Sequence, residues 1–469
     1  MSLRNTKIVA TLGPATDNPS VLGELLEAGV NVFRLNASHG SWEAHQARLE
    51  AVRAMAGHDV GVLLDLQGPK IRLGEFVGGG CTLETGDEFV ITTQPAAGNR
   101  QRASCSYEPL AREVRAGDRV LLADGAVELE ALASDGHEVR FRVVSGGPVG
   151  SYKGINLPGV ALSAPSMTPK DVEDLDRGLD AGVDFVALSF VRSAHDVYAL
   201  RRRLEERESR AVLITKIEKP EAWRNLEAIL DASDGVMVAR GDLGVEMPLE
   251  QVPLIQKQVI ARARHKGKFV ITATQMLESM VENARPTRAE VSDVANAICD
   301  GTDAVMLSAE TSVGQDPARA ARMMAQIARE TEAWLRPHGF PDPLPRVTPS
   351  NAEIVAEAAY GAGRSAGVAA IVVFTTSGST ARLISRYRPP VPIFAFTPSA
   401  TVARQMALWF GVHAVLAPAT GSTEAMLNQM EHTLVARGFL RAGDNVVFVA
   451  GQPIGEVGSA NLMKLHRLK

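Results

Sequence analysis

Cysteine is scarce, with three residues in a chain of 469. Cys81, Cys105 and Cys299 show no metal-ligand spacing, and an odd, sparse set suits a reducing compartment rather than a disulfide framework. No stretch approaches the ~20 consecutive apolar residues needed to cross a bilayer. The opening MSLRNTKIVATLG carries too short an apolar run for a secretory signal. A cytoplasmic protein is expected, with residues near the N-terminus already part of the fold. Positive charge is not in excess either. The formal net charge of −5 gives no reason to expect nucleic acid or an anionic membrane as partner, while leaving room for a local basic pocket that holds phosphates. Low-complexity segments are missing too. What remains is an ordinary globular composition, 45% hydrophobic and 22% charged. Single cores stop growing beyond roughly 250–300 residues, so two or three domains are expected.

Eight short runs are apolar, β-branched and followed by polar residues. They are KIVATLG (7–13), VNVFRLNAS (30–38), VGVLLDL (60–66), VDFVALSF (183–190), AVLITKIE (211–218), DGVMVARGD (234–242), KFVITATQ (268–275) and DAVMLSAE (303–310). Helix-period segments such as NPSVLGELLEAG lie between most of them. Strand–helix repeats imply parallel pairing, and near-continuous apolar strands imply a sheet covered on both faces. Eight units predict a (β/α)8 TIM barrel, preferred over an open doubly wound sheet because polar residues cluster at the C-terminal ends of the runs. The third and fourth runs are separated by a long insert. Its segments CTLETGDEFVITT, GDRVLLADGAVELEAL and HEVRFRVV alternate apolar and polar residues between Asp-Gly and Gly-Gly turns, the signature of antiparallel hairpins. A small β-barrel over 68–166 is expected there, above the barrel mouth, where it can act as a lid. The catalytic barrel then comprises 1–67 and 167–340. After the Pro-rich stretch GFPDPLPRVTPS come a helix (351–363) and the runs AIVVFTT, VPIFAFT, VHAVLAP and NVVFVAG. These predict a C-terminal open α/β sheet over 341–469.

The strand ends carry Arg34, Asn36 and Ser38, then Asp65, Lys216 with Glu218, Asp242, Thr274, and Ser308 with Glu310. Residues two apart on a strand share a face, so Lys216 and Glu218 set a cation beside an anion. Glu218 and Asp242 come from consecutive strands. Two carboxylates that leave other positions to water and substrate oxygens suit magnesium or manganese. Lys216 offers a point charge to a phosphoryl oxygen, and Arg34 and Arg72 offer further phosphate contacts. Gly241 in ARGDLG permits close backbone approach, and N–H groups at a following helix start can bind a carboxylate or phosphate. Each polar residue alone reads as a strand cap or salt bridge; their recurrence on six of the eight runs favours a site.

The strings TKIVATLGPAT, FRLNASHG, LLDLQGPKIR, TKIEKPEA, VMVARGDLGVE, ATQMLESM, RPTRAEVSDVANAICDGTDAVMLSAET and TTSGSTARLISRYRP resemble the pyruvate kinase family, in order from residue 6 to about 455. The resemblance implies a barrel, a β-barrel lid and a C-terminal α/β domain, usually assembled as a homotetramer. It implies phosphoryl transfer from phosphoenolpyruvate to ADP through a metal-stabilised enolate, giving pyruvate and ATP in the last step of glycolysis. On that basis Lys216 is the catalytic lysine, with Arg34 and Thr274 beside the reaction. Glu218 and Asp242 hold Mg2+ or Mn2+. The backbone of Arg240, Gly241 and Asp242 grips the substrate carboxylate, and Thr274 lies near the methylene carbon. Asn36, His39 and Arg72 serve the nucleotide side, and Ser308 and Glu310 support the site. Many relatives carry an acid at the position of Lys70, together with a required potassium ion near Asn36, Ser38 and Asp65. A tethered ammonium can supply that charge, so potassium independence is expected. The loop Thr375, Thr376, Ser377, Gly378, Ser379 and Thr380 corresponds to an effector-phosphate loop. Thr376 and Ser379 stand where fructose-bisphosphate-regulated members often carry bases, which favours a sugar monophosphate or AMP as effector. Two other readings are a barrel lyase or aldolase acting on phosphoenolpyruvate or pyruvate, and a non-catalytic phosphometabolite sensor. The first would lack the insert and the C-terminal unit, and the second would be expected to lose the Lys–Glu–Asp set.

Overall fold

Eight runs of apolar, β-branched residues close into a parallel barrel in a computed structural model that describes residues 4–160, 162–340, 349–452 and 460–469. The strands are β1 (Lys7–Thr11), β2 (Val32–Asn36), β3 (Gly61–Asp65), β4 (Phe185–Leu188), β5 (Val212–Ile217), β6 (Gly235–Ala239), β7 (Phe269–Ala273) and β8 (Ala304–Leu307). They hydrogen-bond in the order β1–β8–β7–β6–β5–β4–β3–β2, and every pair is parallel. Each of the eight runs read from the sequence is one of these strands.

Alternation divides the strand residues into two sets. Ile8, Leu35, Leu64, Leu213 and Val236 point outward under the helices, while Val9, Leu63, Phe185, Ile214, Met237 and Phe269 fill the barrel. Phe185 and Phe269 meet edge to face at 6.5 Å. A Cβ at Gly235 would stand 2.3 Å from the Phe269 ring, so glycine alone lets β6 begin there. Continuing the inward set toward the C-terminal end of each strand reaches Thr11, Arg34, Asp65, Ser189 and Lys216. The helices are started by local chemistry. Capping boxes form between Thr168 and Asp171, Thr287 and Glu290, and Ser350 and Glu353.

The insert between β3 and β4 contains a six-stranded sheet in the order 155–156, 119–122, 127–134, 138–145, 88–92, 102–104, with a ribbon of 80–83 and 147–150 beside it. Sheet and ribbon share one core, including Phe89, Leu129, Phe141 and Val149. Its central hairpin shows the expected alternation. Strands 88–92 and 102–104 pair parallel instead, because the chain between them crosses back before pairing.

The C-terminal sheet consists of β9 (Val368–Phe374), β10 (Ile393–Thr397), β11 (Val412–Leu416), β12 (Asn445–Gly451) and β13 (Ala460–Arg467), ordered β11–β10–β9–β12–β13. The first four are the apolar runs expected from the sequence. β13 is an antiparallel edge strand with mostly exposed residues, which hid it from a search for apolar runs. Most of the Pro-rich stretch, residues 341–348, lies outside the described residues. The sheet and its helices dock on the end of the barrel where the strands begin. Lys7 Nζ donates to Val412 O at 2.6 Å, and Arg404 pairs with Asp184 at 2.7 Å. Among the described residues no helix is long and apolar enough to cross a membrane.

Candidate active site

The inward-facing polar set converges where the barrel strands end. Lys216 Nζ lies 2.7 Å from Glu218 Oε1 and 3.4 Å from Asp65 Oδ1, and donates to Ser189 Oγ at 2.8 Å. Arg34 Nε meets Asp65 Oδ2 at 2.7 Å, and its NH1 donates to Thr11 Oγ1 at 3.1 Å. Asp65 and Glu218 are each only 1% exposed. Two cations and two acids are thus sunk together below the mouth, which is tolerable only because they pair.

Protonation follows from this packing. Burial alone would lower the Lys216 pKa, but Asp65, Glu218 and Asp242 outweigh it and hold the ammonium protonated well above the usual range. Burial would raise Asp65, yet Lys216 and Arg34 keep it below its ordinary value. Glu218 moves the other way. Burial raises it, and the charge of Asp242 adds to the rise against the pull of Lys216. Phe190, at a φ of 55°, turns its backbone N–H onto Glu218 Oε2 at 2.8 Å.

Asp242 is the third residue of the short helix Arg240–Glu246 that follows β6. No hydrogen-bond donor among the described residues reaches its carboxylate. No cluster of three or more His, Cys, Asp or Glu side chains suited to a metal occurs among the described residues. Glu218 and Asp242 offer two carboxylates, the oxygen donors a hard divalent ion takes when water or substrate oxygens fill its other positions. The residues that could hold such an ion are Glu218, whose charge is disfavoured by Asp242, and Asp242 itself.

The remaining residues separate. Gly241 N–H donates to Thr274 Oγ1 at 2.7 Å, so Thr274 abuts the Arg-Gly-Asp turn. The Arg240 side chain turns away from the mouth to Asp293 at 2.6 Å and the carbonyl of Thr274 at 2.7 Å, so only its backbone can face a substrate. Asn36 Oδ1 accepts from Ser38 N–H at 3.2 Å. Burial lowers the His39 pKa, with Arg72, Lys70 and Arg34 adding to the fall, which marks a basic quarter on this side. Arg72 donates to Tyr152 O in the insert at 3.1 Å. Lys70 makes no hydrogen bond or ion pair with Asn36, Ser38 or Asp65; Asp65 is neutralised by Lys216 and Arg34 instead. Lys70 lines a cleft of about 150 Å³ with Asn156, Lys219, Asp242 and Glu246. Glu310 is fully buried and accepts the backbone N–H groups of Ser308 at 2.6 Å and Leu277 at 3.0 Å, fastening the loops after β7 and β8. In the C-terminal unit, Thr375 Oγ1 accepts Gly378 N–H at 2.8 Å, and Ser377 donates to Ser379 at 3.1 Å. That loop, with exposed Thr376 and buried Thr380, is far from the barrel mouth.

Ser189 and an anchor of the insert were missed from the sequence. Ser189 stands two residues past Ala187, an inward position of β4, and that spacing was the available signal. The anchor joins Glu246 Oε1 to Lys219 Nζ at 2.6 Å and to Asn156 Nδ2, on the returning edge of the insert, at 3.0 Å.

Family patterns described as pyruvate kinase, barrel domain, and pyruvate kinase, alpha/beta domain, match residues 3–321 and 353–466. The chain belongs to the pyruvate kinase family. It is 47% identical to a pyruvate kinase of Mycobacterium tuberculosis over 470 residues, covering 99% of this chain and 98% of that one. With a pyruvate kinase of Corynebacterium glutamicum the identity is 45% over 468 residues, with the same coverages. A crystal structure of a pyruvate kinase from Cryptosporidium parvum superposes with a TM-score of 0.92 at 36% identity, covering 99% of this chain and 96% of that one.

Proposed function

We propose that this chain transfers a phosphoryl group from phosphoenolpyruvate to ADP, giving pyruvate and ATP. The observation that carries the reading is the Lys216 ammonium, held between Glu218, Asp65 and Ser189 at the barrel mouth with Asp242 nearby. Loss of the phosphoryl group leaves an enolate, so negative charge grows on oxygen. A fixed ammonium in a site shielded from water stabilises that charge without reorganising. Glu218 and Asp242 hold Mg2+ or Mn2+, which when bound supplies Lewis-acid stabilisation of the same charge. Arg34 faces the phosphoryl group beside Lys216. The Arg240–Gly241–Asp242 backbone takes the carboxylate, Thr274 lies by the methylene carbon, and Asn36, His39 and Arg72 serve the nucleotide.

The division into a barrel (1–67 and 167–340), a lid (68–166) and a C-terminal unit (341–469) belongs to the same proposal. So do homotetrameric assembly, a cytoplasmic setting and an effector phosphate on the loop 375–380. Membership of the potassium-independent, lysine-bearing subgroup rests on Lys70, whose ammonium stands at the cleft and is felt by His39.

Pyruvate formation from phosphoenolpyruvate, ADP and Mg2+ tests the reading. Lys216→Met should lower kcat by about two to three decades while slower proton exchange at pyruvate C3 persists. Phosphoryl transfer close to wild type would remove Lys216 from the mechanism. Full activity is expected without potassium, and strong activation by added potassium would refute the role given to Lys70.

A further inference from the structure

The chain leaves the barrel for the insert just after β3 and returns just before the helix Pro169–Asp180. Both crossings end on one side chain. Asp171, in the first turn of that helix, is fully buried. Its Oδ2 accepts the backbone N–H of Thr168 at 2.8 Å and the Thr168 hydroxyl at 2.6 Å. Its Oδ1 accepts the N–H of Gly68 at 2.9 Å, across 103 positions. The bonds to Thr168 belong to the capping box. The bond to Gly68 is one that a helix start does not need.

Gly68 in turn bears on the loop that follows β4. Its φ is 70°, and a Cβ there would stand 2.7 Å from the Phe190 ring and 3.2 Å from Ser189 Cβ. Ser189 Oγ donates to Leu66 O at 2.7 Å, holding the outgoing chain to the end of β4. Two residues beyond Phe190, the Arg192 guanidinium donates to the carbonyl of Leu162 and, at 2.7 Å, to that of Ala164 on the returning chain. Residues 189–192 thus touch both crossings. Phe190 itself is held at a φ of 55°, which a bulky residue keeps only where its surroundings impose it. Three contacts impose it here. Gly68 packs on the ring, the Lys219 ammonium stands 5.5 Å from the ring centre, and the backbone N–H is fixed on Glu218 Oε2 at 2.8 Å.

We propose that Asp171 is a positioning residue for the reaction: by pinning both crossings of the insert it keeps Gly68 against Phe190, and so keeps the Phe190 N–H on Glu218. The inference rests on the reading of Glu218 as a metal-holding carboxylate. Without the Asp171 carboxylate, Gly68 N–H loses its acceptor and the turn that begins there can lift. Lys70 moves with that turn, because its N–H donates to Gly68 O at 2.8 Å. Phe190 then relaxes out of the left-handed region and takes its N–H off Glu218. The setting of the insert is thereby passed to a carboxylate at the barrel mouth. If that setting changes metal affinity, metal must change the equilibrium of the insert by the same factor.

Titration of the full-length protein with Mn2+, the free ion being counted by electron paramagnetic resonance, tests this. Asp171→Ala should weaken Mn2+ binding about 10–100-fold, the usual effect of losing a group that orients a metal ligand. Asp171→Asn keeps the volume and one acceptor, should weaken binding less, and carries the test if Asp171→Ala does not fold. Thr168→Ala removes the hydroxyl of the cap but leaves each Asp171 oxygen its backbone donor. It should lower the melting temperature and keep the wild-type Mn2+ affinity. Phe190→Ala should weaken binding with the cap intact, and adding Asp171→Ala to it should weaken binding no further, since both act through one contact. Wild-type affinity in the folded Asp171 variants, with binding lost in Glu218→Gln, would overturn the pin and leave the metal reading standing. So would equal weakening in Thr168→Ala, or losses that multiply in the double variant. Equal binding in Glu218→Gln and wild type would overturn both.

Discussion

Replacing Lys219 with methionine should destabilise the protein far more than loss of a surface salt bridge. Lys219 Nζ lies 2.6 Å from Glu246 Oε1, with side-chain exposures of 11% and 2%. Asn156 shares the same oxygen at 3.0 Å, while Glu246 Oε2 is buried without a hydrogen-bond partner among the described residues. Without the ammonium, one neutral amide is left to support a buried carboxylate. Removing one partner of such a pair costs about 3–5 kcal/mol, against ~0–1 kcal/mol for an exposed pair. The ammonium also stands 5.5 Å from the centre of the Phe190 ring, which contributes about 0.5–1 kcal/mol more. Most of the penalty is the orphaned charge, not the lost bond. Glu246→Gln placed on top of Lys219→Met should therefore recover most of it. Urea unfolding of both single variants and the double variant measures this as a coupling energy. Because Asn156 belongs to the insert, Lys219→Met should also speed proteolytic cleavage near residues 155–165 and raise the KM for ADP more than it lowers kcat. A single-variant cost below about 1 kcal/mol, or a double variant whose cost is the sum of the two, would show that no charge is trapped there and refute the reasoning.

Stability should rise with pH between about 7 and the ordinary lysine value of 10.5, because burial, aided by Arg4, lowers the Lys7 pKa to about 7 against the pull of Glu332 and Asp303. In that window the unfolded chain binds the extra proton, so raising pH from 7 to 9 favours the folded state by about 2 kcal/mol. Denaturant midpoints across that range should show the slope in wild type and lose it in Lys7→Met; equal slopes would exclude Lys7. His413 is held down to about 3 by burial and by Lys7 and Arg4, so it stays neutral and adds nothing to the window. Gly378→Ala should cost more than about 1 kcal/mol, since φ there is 81° and a Cβ would fall 2.5 Å from the Trp409 ring; a melting temperature equal to wild type would show that the loop can shift at no cost.

The difference between what the sequence discloses and what it hides is one of range. A barrel strand is written locally. Val9, Leu63, Ile214 and Met237 announce themselves by period two in a wholly apolar run, and the same period carries forward to Thr11, Asp65 and Lys216. The lysine and its acids were therefore legible as strand-end residues. Ser189 was legible in principle by the same count, but a lone hydroxyl carries too little chemistry to be noticed without its partner. Side-chain direction beyond a strand end has no period. Arg240 follows β6 and resembles a substrate arginine, yet its guanidinium is drawn to Asp293, 53 positions along the chain. The bond between Asn156 and Glu246 spans 90 positions, and nothing in NLPG or GVEM states that they meet. β13 failed for the opposite reason: as an edge strand it buries almost nothing, so it lacks the apolar signal that declares the other four strands of its sheet. The docking of the C-terminal sheet on the barrel floor is hidden for the same reason: Arg404 and Asp184 meet at 2.7 Å across 220 positions. Asp184 is only 1% exposed in that pair, so Arg404→Ala should lower the melting temperature well beyond what an exposed ion pair, worth ~0–1 kcal/mol, would cost; a melting temperature equal to wild type would show that the docking does not depend on this contact.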